Sequence, residues 1–243
     1  MHHRDHALAI AAAVAGAEPD ALAVALVGSV ATGTDHPHSD IDLIAAAATG
    51  PGTRVLHVEG RMVTLTRAAP DDLAAALTRP RDAGAAVPAW RTARLLHDPD
   101  GVLRDLKARA DAWTWDRVED PDRWAAGELV GLAEEVHKVH GMLAQGRARA
   151  AAANRLILTL ALAVPMAAAN RLLYGSENDL WDALAAAEGP GWAADWDTAA
   201  GLAPAGPEAA ARTACALYRR AASRLAPHLA GTDRTVVTAA ADL

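Results

Sequence analysis

Residues 21–47 read ALAVALVGSVATGTDHPHSDIDLIAAA. Ala21–Val27 and Asp40–Ala47 are short, largely apolar and bounded by turn residues, so each reads as a strand with its apolar face buried. The first run ends on Gly28-Ser29. Ten residues rich in Gly, Thr, Asp, His and Pro then lead to Asp40-Ile41-Asp42. Alternate residues of a strand share a face, so Asp40 and Asp42 present paired carboxylates while Ile41 points into a core. Two adjacent acids repel unless a cation lies between them, and Mg²⁺ favours a few carboxylates together with phosphate oxygens. Gly28 permits close backbone approach, and Ser29 offers an amide and a hydroxyl at a turn into helix, where phosphate is favoured.

Working outward, residues 5–16 read as a helix. Arg54–Val58 and Arg61–Arg67 read as a hairpin about Glu59-Gly60, and Pro70-Asp71-Asp72 opens a helix to Leu77. Ala93–His97 reads as a further strand and Val102–Trp113 as a helix. Beyond Pro121 the pattern changes to helical periodicity over residues 122–145, 148–174, 178–188 and 207–229, separated by Gly and Pro. The expected class is α+β: a small mixed-sheet domain over residues 1–113, then an all-helical bundle domain over residues 118–243. The tail after Gly231 is too short to assign.

Composition narrows the partners. The chain of 243 residues carries a formal charge of −7, which disfavours long nucleic acid as a partner because that requires clustered Lys and Arg. Residues 111–243 hold 17 acidic against 12 basic residues, which suits a small cationic acceptor better. Cys215 is the only cysteine, so neither an intrachain disulfide nor a thiolate cluster is available, and a reducing cytoplasm is the expected location. No membrane partner is expected, since Pro165 interrupts the most apolar run, Leu156–Ala169.

The run from Gly28-Ser29 through Ser39-Asp40-Ile41-Asp42 resembles the signature of the DNA polymerase beta-like nucleotidyltransferase superfamily, and within it the kanamycin (aminoglycoside) nucleotidyltransferases. The resemblance implies a small catalytic sheet followed by a helical domain, with NTP, most simply ATP, as co-substrate and Mg²⁺ as the ion. It implies that Gly28, Ser29 and Ser39 contact the nucleotide and that Asp40 and Asp42 hold the metal. It also assigns Glu134 as the catalytic base that takes the acceptor proton and Lys138 to the phosphates; Glu135, about 100° around the helix, is the fallback base. Residues four apart on a helix share a face, as Glu134 and Lys138 require. The implied activity is transfer of a nucleoside monophosphate to a hydroxyl of a small aminated sugar or similar antibiotic-like product, with pyrophosphate released and a homodimer as the assembly.

Two positions depart from the family pattern. Thr64 stands where a third carboxylate is usual, and Thr32 where a basic residue is usual. The first leaves open a one-metal enzyme or a non-catalytic nucleotide sensor, and a protein-adenylylating relative shares the signature. Glu134, His137 and His140 also have the spacing of a helical metal pair, but a di-metal bundle site needs a second such motif. Trp181, Trp192 and Trp196 read as packing residues, and Glu177, Asp179 and Asp182 as a solvated, capping cluster.

Overall fold

The computed structural model describes residues 3–243. The chain forms two compact units: residues 1–119 together with 173–177, and residues 120–172 together with 178–243.

The first unit is built on a five-stranded sheet of order β3-β4-β2-β1-β5. Its strands are β1 (Ala23–Val27), β2 (Ile41–Ala46), β3 (Gly52–Val58), β4 (Arg61–Ala68) and β5 (Arg94–His97). Only β2 and β4 run parallel; every other neighbouring pair is antiparallel. Five helices accompany the sheet: α1 (His3–Gly16), α2 (Gly28–Thr32), α3 (Pro70–Ala75), α4 (Pro80–Thr92) and α5 (Val102–Asp111).

Alternation along the strands sorts the apolar residues into two cores. Val24, Leu26, Ile41, Leu43, Val63 and Leu65 pack with Ile10 and Val14 of α1. From the other side, Ala23, Ala25 and Val27 pack with Leu77, Val87, Trp90, Leu103 and Leu106. Trp113 closes that second core, its indole N–H donating to the Leu77 carbonyl at 2.6 Å.

The hairpin forms where the sequence placed it, with Glu59 in the left-handed region of the turn. Helix α4 lies in a stretch the sequence reading left unassigned, where Pro80, Gly84 and Pro88 are residue types that usually interrupt helices. Pro80 instead occupies the first turn, where its missing N–H costs nothing. Pro88 lies inside the helix and cannot bond back to Gly84. The freed Gly84 carbonyl accepts the Tyr174 N–H at 3.0 Å, which replaces the lost bond and fastens the 173–177 segment to this unit.

The second unit comprises α6 (Pro121–Ala144), α7 (Ala148–Ala161), α8 (Ala163–Ala169), α9 (Glu177–Glu188), α10 (Pro190–Ala200), α11 (Pro207–Leu225) and α12 (Gly231–Ala241). Asp120 caps α6 by accepting from the Arg123 N–H at 3.1 Å. Leu129, Val136, Leu158, Leu162, Met166, Leu217 and Tyr218 are fully buried in this unit. Tyr218 donates to the Leu129 carbonyl at 2.9 Å. The helix expected over 148–174 ends at Ala169 and is divided at Leu162. By length and composition Ala148–Ala169 is nevertheless apolar enough to cross a membrane, with 44% of its most apolar window buried. The division at Leu162 falls one turn before Pro165, which has no N–H to continue the helical ladder. Helices α10 and α12 were also missed, the first behind Gly189-Pro190-Gly191 and the second in the unassigned tail.

One buried ionic link ties α1 to the sheet. Glu18 follows α1, and its carboxylate, 7% exposed, accepts from Arg67 at 2.6 Å and also pairs with Arg54. Glu18→Ala would leave the Arg67 guanidinium, only 15% exposed, without its counter-ion. The expected loss is about 3 kcal/mol of unfolding free energy in urea titrations, the low end for breaking a buried pair because Arg54 is half-exposed. A loss under about 0.5 kcal/mol would show that the link is no more than a surface ion pair.

Candidate nucleotide and metal site

The site grows from the antiparallel pairing of β1 with β2, which sets Val27 opposite Asp42. The residue after Val27 is Gly28, at φ +70°, so the chain turns sharply out of the strand into α2. A Cβ at Gly28 would lie 2.4 Å from Asp42 Oδ2. Glycine is therefore required twice over, for the left-handed backbone and for the space the carboxylate fills. Ser29 and Gly28 are part-exposed, as are Asp40 and Asp42.

Asp42 is pushed up from the ordinary 3.8 to about 6, mainly by burial, then by the negative charge of Asp40 and by a hydrogen bond between the two carboxyls. Below about pH 6 Asp42 keeps a proton that it can share with Asp40 in the ion-free chain. A divalent ion would take the place of that proton, and the donor set of two carboxylate groups beside a glycine turn suits one. Thr64 of β4 lies in register with Asp42 and donates its hydroxyl to Asp40 Oδ2 at 3.2 Å.

The loop between Gly33 and Ser39 is held by side chains that the sequence reading did not single out. Arg61 is 8% exposed, and its Nη2 donates to the Ser39 carbonyl at 2.9 Å, immediately before Asp40. The Arg4 guanidinium occupies the space over Gly33, 2.5 Å from where a Cβ would stand. His3 Nε2 lies 3.1 Å from Asp35 Oδ2, on a carboxylate only 1% exposed. The one sequence signal for Arg61 was its phase: it shares the inward face of β4 with Val63 and Leu65. The Ser39 hydroxyl accepts the His36 N–H at 3.0 Å, so it fastens the loop, with its own O–H left to donate. At Thr32 the hydroxyl donates to the Ser29 carbonyl at 3.0 Å and closes the α2 turn.

Glu134 and Lys138 lie on α6, in the second unit. Lys138 Nζ is 2.8 Å from Glu135 Oε1 and 3.0 Å from Glu134 Oε1. Those two carboxylates, Glu135 foremost, raise its ammonium above the ordinary lysine range. Glu134 is 72% exposed, whereas Glu135 is 14% exposed and keeps Oε2 buried without a partner. His137 and His140 join no group of three metal-binding side chains among the described residues. Trp181 and Trp196 pack with ring centroids 5.5 Å apart, and Trp192 is buried.

Residues 14–51 match the model of the nucleotidyltransferase domain family. That stretch contains β1, α2 and β2, hence Gly28, Ser29, Asp40 and Asp42. The match supports nucleotidyl transfer as the general activity. The fold is similar to the crystal structure of a nucleotidyltransferase-like protein from Exiguobacterium sibiricum, at TM-score 0.55 and 12% identity over 92% of this chain and 77% of that one. No curated protein matches the sequence. Together the family match and the fold support the nucleotidyltransferase superfamily.

The coupled carboxyls set a pH dependence. Because folding raises the pKa of Asp42, the unfolded chain sheds this proton at lower pH than the folded one, so the ion-free protein loses stability as pH rises from 3.8 to about 6. Urea titrations in chelator should show a fall of roughly 2 kcal/mol across that window, discounted for the partial exposure of the group. Asp42→Asn should flatten the curve there. An unchanged slope in that variant would place the titration elsewhere.

Proposed function

We propose that the protein is a Mg²⁺-dependent nucleotidyltransferase that moves a nucleoside monophosphate from an NTP, most simply ATP, to a hydroxyl of a small aminated sugar or similar product. The observation that carries this reading is Asp42 packed against the absent side chain of Gly28, with Asp40 sharing its proton. In the reaction the acceptor oxygen forms a bond to the α-phosphorus, the bond from that phosphorus to the bridging oxygen breaks, and pyrophosphate leaves. Asp40 and Asp42 would hold Mg²⁺, which when bound supplies Lewis-acid polarisation of phosphoryl oxygen. Gly28 lets the Asp42 carboxylate close on the turn, and Ser29 would offer phosphate an amide and a hydroxyl. Ser39 keeps its O–H available for the same ligand.

Glu134 and Lys138 rest on the resemblance alone. Glu134 would take the acceptor proton and Lys138 would neutralise phosphate charge. Glu135 is the alternative base, favoured by its enclosure and its unpartnered Oε2. The acidic excess of residues 111–243 supports a cationic acceptor. The buried Cys215, pushed up to about 11 chiefly by burial, is an inert thiol with no part in the reaction. A non-catalytic nucleotide sensor is the second reading, favoured by Thr64 in place of a carboxylate.

Incubation with Mg²⁺, each NTP and a panel of aminated sugars should release pyrophosphate and add the mass of one nucleotide to an acceptor. Asp40→Asn and Asp42→Asn should each slow release about a hundredfold or more, as loss of a group that stabilises transition-state charge does. Nucleotide binding without turnover on any acceptor would favour the sensor. Binding indifferent to both substitutions would remove the site altogether.

A further inference from the structure

We infer that this site takes a single divalent cation with its nucleotide, and that Thr64 is the residue that excludes a second. The inference rests on the nucleotide-metal reading of Asp40 and Asp42. In parallel register Thr64 is the direct neighbour of Asp42, so its side chain occupies the place on the sheet from which a third ligand would reach the pair. That side chain is neutral and already committed, donating to Asp40 Oδ2 at 3.2 Å. A hydroxyl that donates to Asp40 removes one of its acceptor directions and adds no negative charge.

Two divalent ions about 4 Å apart repel strongly and are held together by carboxylates that bridge or flank them. Asp40 and Asp42 supply two carboxylates, so a second ion would have phosphate oxygens on one side and no third carboxylate among the described residues to fix it on the other. The neighbouring positions offer no more. Val55 of β3 pairs with Thr64 from its far side. Glu59 sits in the hairpin turn, bonded to His6 at 2.8 Å. Asp35 is buried and turned toward His3. Among the described residues no three His, Cys, Asp or Glu side chains converge as a metal group.

The chemistry that follows is specific. The side chain on β4 cannot serve as a carboxylate base for the acceptor hydroxyl, and the ion bound by Asp40 and Asp42 is the one that accompanies the nucleotide. Replacing Thr64 by a carboxylate should create the second site, since that one position lacks the ligand.

Bound Mn²⁺ can be counted by the loss of the free-ion electron paramagnetic resonance signal. The titration would use full-length protein and an equal concentration of a non-hydrolysable α,β-methylene nucleoside triphosphate. We expect one Mn²⁺ per chain for the native protein and for Thr64→Asn, and two for Thr64→Asp or Thr64→Glu. Two ions per native chain would overturn the inference and leave the nucleotide-metal reading standing. One ion in both carboxylate variants, each shown folded by circular dichroism, would overturn the assignment to Thr64. Failure of the native protein to bind the nucleotide with Mn²⁺ would instead defeat the reading on which the inference rests.

Discussion

Asp40 and Asp42 bring two carboxyl groups to one face of β2 beside a turn that leaves no room for a side chain. In isolation such a pair is unfavourable, since burial and mutual repulsion both oppose the charged forms, and Asp42 answers by keeping its proton up to about 6. The surrounding structure enforces the pair instead of relieving it. Antiparallel register delivers Gly28 to Asp42, parallel register delivers Thr64 to the same point, and the Ser39 carbonyl is fixed by Arg61 one residue before Asp40. A pair of carboxyls held together at this cost suits a ligand of opposite sign, which is the physical basis for proposing a metal-bound triphosphate here.

Rigidity around that point comes from outside the motif. Arg4 over Gly33, His3 beside Asp35 and Arg61 at Ser39 hold the loop from α1 and β4. Glu18, in turn, joins the end of α1 to Arg67 and Arg54 on β4 and β3. The first helix therefore acts as a brace for the loop as well as a cover for the core. Its apolar residues pack on the sheet face opposite to the carboxyls, which leaves Asp42 and Thr64 part-exposed.

What could be read from the sequence was local. Short apolar runs between turn residues located β1 and β2, the Glu59-Gly60 turn located the β3–β4 hairpin, and the spacing from Gly28 to Asp42 located the site. Helices α4 and α10 were hidden because Pro and Gly crowd their sequences, although α3 and α11, which also open on Pro, were legible. Pro80 and Pro190 occupy first turns. Pro88 is tolerated only because Tyr174, distant in sequence, takes up the Gly84 carbonyl. Arg61 escaped for a related reason, since its partner is a carbonyl 22 residues away, and nothing in the local pattern names it. The ordering of Glu135 ahead of Glu134 in enclosure depends on how α6 packs, which a one-residue difference on a helix surface does not disclose.

The central claim is that the Gly28–Ser29 turn and the Asp40/Asp42 pair form one nucleotide-metal site. A crystal structure of the protein with Mn²⁺ and an α,β-methylene triphosphate tests it most directly, through the anomalous signal of the ion. The account requires an anomalous peak bonded to both Asp40 and Asp42, with phosphate oxygens against the backbone of Gly28 and Ser29. A triphosphate bound elsewhere, or an ion that leaves both carboxylates untouched, would contradict it.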